Sequence, residues 1–295
     1  MSKRTRKLAL TEGITAGIFF GTAAVLIKFL NNVNTFSIAF WRLIIASAAL
    51  ATIRVVLRKP FSHALVRKNL KDLFVLGIFL GLHFIFFVSA VKDTTILNAT
   101  VLVNTTPIFS MFVSTFLFNT KPSRIAVVGL TISFIGGFII AYADAYPQGF
   151  SLNFKGDMEA ILAAVVESFY LNFGRKTRNQ MPILATMLPI YLFAALLVGI
   201  LSTPISNVFA VPSDLNIILP IIGLGLLPTA IAHTLYFSSL SNLKSFETAT
   251  MALLEPVGAT ILGAIVFPDM LPRPLFIFGA FLILLGIIFV AKQQN

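Results

Sequence analysis

The chain has 295 residues, 57% hydrophobic and 11% charged, with a formal charge of +11 and a mean hydropathy of +0.93. A soluble domain carries about 25% charged residues, whereas here apolar runs of about 20 residues recur from Gly13 to Val290, each able to cross a hydrocarbon core. These totals exclude a separate soluble catalytic domain and a basic nucleic-acid-binding face; the absence of cysteine excludes disulfides and thiolate metal sites.

Lys3, Arg4, Arg6 and Lys7 precede an apolar segment too long for a signal peptide. The first span is therefore predicted over Leu10–Leu30, with Gly13, Gly17 and Gly21 forming a stripe that lets a neighbouring helix approach. Further spans are predicted over Thr35–Leu57, Leu73–Val91, Ile96–Phe118, Ile125–Ala143, Gly156–Phe173, Pro182–Ser202, Asn216–Ser238, Phe246–Phe267 and Leu275–Ala291. That makes ten. With both termini cytoplasmic, the predicted inner loops collect seventeen Lys and Arg residues and the outer ones only Lys28, Lys92, Lys155 and Arg273. Arg42 lies within a span.

Ser89–Asn119 and Ser238–Asp269 carry the same pattern: helix end, small polar loop, Ala/Thr-rich helix, proline and apolar finish. Setting Pro107 on Pro256 aligns them at an offset of 149 residues without gaps. Five spans per half is an odd number, so the second half must enter the membrane upside down. The expected fold class is all-α integral membrane, with two inverted five-helix repeats, residues 1–149 and 150–295, joined near Asp144–Lys155.

Ionisable groups inside a bilayer cost a few kcal/mol, from about 2.5 upward, and point to function unless paired structurally. Glu167, near the middle of span six, is read as a proton site or the counter-charge for a substrate amine, against a carboxylate paired to a neighbouring helix. Glu255 precedes Pro256, whose missing donor frees a carbonyl one turn back; it lines a broken helix or serves the kink itself. Asn104 lies near the corresponding Thr106-Pro107 in span four. His83 and His233 occupy near-equivalent places in spans three and eight, as proton relays, carboxylate ligands or packing residues. Arg42 is expected to snorkel to the outer interface beside Trp41, the alternative being a bidentate carboxylate or phosphate site. Tyr170, three residues after Glu167, shares its helix face, and with Tyr236 it is a cavity candidate. Asn98 and Glu247 align near helix ends and are read as gate or loop-packing residues. No ligand-spaced cluster for a metal appears.

Phe40-Trp41-Arg42, Thr106-Pro107-Ile108, Leu254-Glu255-Pro256-Val257 and Gly156-Asp157, on ten spans in a five-plus-five repeat, make the chain similar to the drug/metabolite transporter superfamily, specifically its EamA-type members. The resemblance covers nearly the whole chain. It implies a carrier of small metabolites, often amino acids or related compounds, in a bacterial or archaeal cytoplasmic membrane. Some relatives import metabolites or exchange nucleotide-linked ones. The usual glutamate ending of spans four and nine is replaced here by Phe118-Asn119 and Phe267-Pro268-Asp269.

The expectation is thus a secondary-active transporter of a zwitterionic or cationic metabolite. It works by alternating access with proton coupling or exchange, without cofactor, as a monomer or weak homodimer in the lipid bilayer. Substrate would sit between the halves, with spans five and ten peripheral. No phosphate-binding GxxxxGK[ST] loop and no HExxH or GxSxG motif is present, so ATP-driven transport and intramembrane hydrolysis find no support. The rival readings are a nucleotide-linked metabolite carrier and a non-transporting scaffold.

Overall fold

The computed structural model describes residues 4–58, 61–145, 153–203, 209, 214–266 and 274–292, and every regular element among them is helical. Helix α1 runs Arg6–Phe20 and, after a bend at Gly21, Thr22–Lys28; α2 is Thr35–Val56 and, after the short His63–Lys68 turn, α3 is Leu70–Asp93. Helix α4 comes in two pieces, Ile96–Val103 and Thr106–Phe116; α5 is Arg124–Ala145, α6 is Phe154–Gln180 and α7 is Ile183–Ser202. Helix α8 comprises Leu215–Leu224, a π-helical stretch Gly225–His233 and Thr234–Ser239. Helix α9 comprises Ser245–Met251, a tight 3-10 turn Ala252–Leu254 and Glu255–Val266, and α10 is Pro274–Ala291. Pro147 and Gly149 of the expected junction, and Phe267 at the expected end of span nine, lie outside the described residues.

Among the described residues, seven helices are long and apolar enough to cross a membrane: α1, α2, α3, α4, α7, α8 and α10. Helix α5 offers a shorter apolar stretch, Arg124–Ile140. Helix α6 is long but carries Glu159, Glu167 and Asn172, and α9 is divided by its tight turn. The molecule is a multi-pass membrane protein. Its surface agrees: Phe112, Phe116, Leu196, Phe278, Phe281 and Ile288 are exposed, while Arg42, Asn104, Thr106, Glu167, His233 and Glu255 are buried. In water that distribution would be unfavourable; in lipid it is what an apolar solvent selects.

The breaks have local causes. Pro107 and Pro256 each lack the amide that would bond one turn back, and each sits in the first turn of the helical piece that follows its break. Thr106 Oγ1 donates to the Val103 carbonyl, which Pro107 cannot reach, at 2.7 Å. Pro228 has the same effect in α8. The helix there widens to a five-residue step, and Thr229 Oγ1 reaches the Leu224 carbonyl at 2.6 Å. The two divided helices match in detail. Ile96 and Ser245 start them, and Thr106 and Glu255 start their second pieces, so both starting positions recur 149 residues later.

Packing brings in the glycine stripe on α1 as the sequence leads one to expect. Gly13 lies on the Met251 side chain, Gly17 on the Met251 carbonyl, and Gly21 against the backbone of Gly258, so α9 rests directly on α1. Helices α5 and α10 lie side by side and antiparallel. A Cβ at Gly129 would meet the Gly286 carbonyl oxygen at 2.6 Å, and one at Gly136 that of Gly279 at 2.6 Å. Ser133 Oγ bonds the Ile283 carbonyl at 3.1 Å between them. This pair leaves a bundle of the other helices around a central cavity.

Candidate functional site

The cavity spans about 430 Å³ of atom-free space, its open side included, and is walled by α1, α2, α3, α4, α6, α8 and α9. Six of the eight site candidates singled out from the sequence line it: Arg42, His83, Asn104, Glu167, His233 and Glu255. Both helix breaks open onto it. The polar atoms exposed by the broken backbone thus face the cavity rather than lipid, where they could not be satisfied.

On one wall, Glu167 Oε2 lies 3.1 Å from Thr106 Oγ1 and 3.8 Å from His83 Nδ1. The Thr106 hydroxyl has one proton and two partners, the Val103 carbonyl at 2.7 Å and Glu167. A carbonyl only accepts, so both contacts are satisfied together when Glu167 is the donor, in its protonated form. When ionised, Glu167 competes with Val103 for that proton. His83 Nδ1 stands 3.1 Å from the Ala163 carbonyl, which assigns the proton to Nδ1 and leaves Nε2 as acceptor in the neutral ring. Glu255 Oε2 accepts from Asn104 Nδ2 at 3.4 Å, joining the two helix breaks.

Helix α2 contributes the cation. Arg42 does not snorkel to an outer interface: it is 1% exposed and points inward, correcting the expectation from its place beside Trp41. Its Nε donates to Thr229 Oγ1 at 2.9 Å, and its guanidinium carbon lies 4.0 Å from the centre of the Phe84 ring. The aromatic face supplies an electrostatic contact that lipid headgroups would otherwise provide. Nη1 is buried and has no hydrogen-bond partner among the described residues. His233 shares the Phe84 ring with it, edge-on to Phe84 at 4.8 Å and to Phe20 at 4.7 Å, and its Nδ1 likewise has no hydrogen-bond partner among the described residues. The rings of His83 and His233 approach to 5.8 Å.

Tyr170 and Tyr236 are the exceptions, and Tyr170 shows why. It is fully buried, but its hydroxyl bonds Met187 Sδ at 3.7 Å and its ring tilts onto Phe237, away from the cavity. A three-residue step on a helix leaves about 60° of rotation, enough for a long ring beside Glu167 to turn into the α7–α8 interface. Tyr236 packs its ring edge-on to Phe20 without lining the cavity itself. Sequence reasoning missed Thr229, Phe20, Phe84 and Phe87, and treated Thr106 only as the counterpart of Glu255. The signal for the threonines is the hydroxyl adjacent to an intrahelical proline, at Thr106-Pro107 and Pro228-Thr229.

The helix ends are tied off by polar contacts. At the end holding the start of α1, Arg4 pairs with Glu12 and bonds Ser238 at 2.9 Å, and Arg6 pairs with the buried Glu247 at 2.5 Å. Glu247 also caps its helix by accepting from the Lys244 amide at 2.6 Å. At the end holding the start of α6, Lys155 pairs with Asp93 at 2.7 Å, and Asp157 accepts from Thr94 at 2.9 Å and Asn98 at 3.1 Å. Arg6 also reaches the Asn242 carbonyl at 3.4 Å; Arg6 and Lys155, like Asp93 and Asn242, stand 149 residues apart. Among the described residues no group of three or more His, Asp or Glu gathers to hold a metal ion.

A model of the EamA-like transporter family matches residues 8–142 and 154–292. The chain belongs to the EamA-like transporter family. It falls accordingly in the drug/metabolite transporter superfamily. Relatives within that company include an uncharacterized transporter of Archaeoglobus fulgidus, 26% identical over 94% of this chain and 96% of the relative. Two more come from Bacillus subtilis: the uncharacterized transporter YxxF, 22% identical over 90% of this chain and 84% of its own, and YdfC, 24% identical over 100% and 94%. A solved structure titled only as the crystal structure of a protein superimposes with a TM-score of 0.81 over 98% of this chain and 97% of that one. At 21% identity this likeness concerns the fold alone.

Proposed function

We propose that this EamA-family protein is a secondary-active transporter that moves a small zwitterionic or cationic metabolite by alternating access of the central cavity. Amino acids and related compounds are the favoured class. The observation that carries the reading is the cavity itself: carboxylates on α6 and α9, a buried arginine on α2 and two histidines converge where two helices are interrupted. Interrupted helices at the centre of a membrane are a means of coordinating polar substrates. A non-transporting scaffold has no use for so many buried ionisable groups.

The ten-span, inverted-repeat organisation, with units 1–149 and 150–295 and both termini cytoplasmic, belongs to the same proposal. It is supported by the helix boundaries repeated at an offset of 149 residues and by the antiparallel run of α5 and α10, which are counterparts in the scheme. In that orientation the α1–α9 contact at Gly13 and Gly17 lies toward the cytoplasm. The cavity residues of α1, α2 and α3 lie from mid-membrane outward. The polar ties at Arg6–Glu247 and Lys155–Asp93 would close the two ends, and transport would release them in turn. Glu167 is the candidate proton carrier, because its protonation decides whether Thr106 serves the carboxylate or the broken backbone of α4.

The test is uptake into proteoliposomes of pooled labelled amino acids, nucleosides and nucleotide-linked metabolites, with and without a pH gradient. Saturable uptake of an amino-acid pool is expected. Uptake confined to the nucleotide-linked pool would favour the alternative carrier, and no uptake by folded, inserted protein would favour a scaffold.

A further inference from the structure

The cavity holds one guanidinium and two carboxylates that do not meet. Among the described residues Arg42 has no ion pair, although Glu167 and Glu255 share its cavity. Both carboxylates are engaged elsewhere, Glu167 by Thr106 and Glu255 by Asn104. Arg42 is in turn held away from them, by the Thr229 hydroxyl at Nε and by the Phe84 face under its plane. Thr229 is placed for this by the widened turn that Pro228 imposes on α8, and Tyr191 fixes that turn by donating to the Thr229 carbonyl at 2.7 Å. A buried cation separated from available carboxylates by this much dedicated structure is positioned for an anion that is not part of the chain.

We infer that Arg42 is the receptor for the carboxylate of a small substrate, with Nη1 presented to it and His233 Nδ1 beside it. The assignment rests on the carrier reading above. A carboxylate fits better than a phosphate. Among the described residues Arg42 is the only lysine or arginine lining the cavity, and a dianion would face two glutamates with a single cation to offset it. The planar fork of guanidinium matches the two oxygens of a carboxylate, and the Phe84 ring makes that side of the pocket apolar, so water competes poorly. Glu167 and Glu255, which line the same cavity without pairing to Arg42, are left for the cationic pole of a zwitterion.

The experiment is thermal unfolding of the purified protein in detergent with sodium acetate, acetamide, sodium phosphate or sodium chloride at matched ionic strength. Acetate is expected to raise the midpoint above chloride, while acetamide, of the same shape without charge, does not. Arg42→Gln should abolish the acetate shift, and Arg42→Lys should weaken apparent acetate affinity about tenfold, because a point charge replaces the fork. Acetate no better than chloride, a shift preserved in Arg42→Gln, or phosphate stabilising more strongly than acetate would each overturn the assignment. If Arg42→Gln does not fold, the wild-type series and Arg42→Lys decide. An Arg42-dependent acetate shift without uptake of any pool would retain the receptor and remove the carrier. Uptake without an Arg42-dependent acetate shift would do the reverse.

Discussion

Replacing Thr229 with valine removes a hydroxyl while keeping the side chain's shape. That oxygen makes two contacts: it donates to the Leu224 carbonyl at 2.6 Å and accepts from Arg42 Nε at 2.9 Å. A hydrogen bond to a charged group is worth about 1.5–3 kcal/mol and a neutral one about 1. Arg42, at 1% exposure, is removed from bulk solvent. Thr229→Val should therefore destabilise by about 2–4 kcal/mol, while Thr229→Ser, which keeps the hydroxyl and loses one methyl, should cost roughly 1 kcal/mol. The assay is thermal unfolding in detergent, followed through the single tryptophan, Trp41, which neighbours Arg42 in sequence. In combination with Arg42→Gln the cost of Thr229→Val should shrink, because the orphaned cation is then gone. A valine variant within about 0.5 kcal/mol of wild type, or a serine variant as damaged as the valine one, would refute the view that Thr229 anchors Arg42.

Glu247→Ala leaves Arg6 without its carboxylate and the Lys244 amide without its cap, and should lower stability by about 3 kcal/mol. Arg6→Gln should cost less, because Arg6 is 27% exposed where Glu247 is 1%; unfolding midpoints of the two single variants and the double variant check both statements. Gly258→Val drives a side chain into the Ile18 backbone and should cost about 1–3 kcal/mol or prevent folding, read from the yield of monodisperse protein. Glu167→Gln should stay folded, since its amide can still donate to Thr106, and should lose transport or its response to a pH gradient. Flux that remains normal and proton-dependent would remove Glu167 from the mechanism.

The cavity was legible where chemistry contradicts its surroundings. Glu167, Glu255, His83, His233 and Asn104 stand out because polar side chains amid apolar helices carry a cost that demands a reason. Pro107 and Pro256 punctuate two otherwise similar runs of sequence, and the second helical pieces of α4 and α9 start at that punctuation. Arg42 was misjudged because snorkelling depends on which neighbour covers the side chain, and its cover, Thr229 and Phe84, comes from α8 and α3. Tyr170 shows the same limit at a finer scale: helical spacing places it near the Glu167 face, but the gap beside Met187 decides where the ring goes. The phenylalanines of the cavity are hidden among 30 in the chain, with nothing local to separate Phe20, Phe84 and Phe87 from those facing lipid.

Alternating access of the cavity is the central claim, and the chain's lack of cysteine makes it directly measurable. Ala252 lines the cavity at the turn of α9 and is 8% exposed. Ala252→Cys, in right-side-out and inside-out membrane vesicles, would be exposed to a thiol reagent that cannot cross the bilayer. The account predicts labelling from both faces, each blocked by prior labelling from the other. Labelling from one face only, or from neither, in folded protein would contradict it.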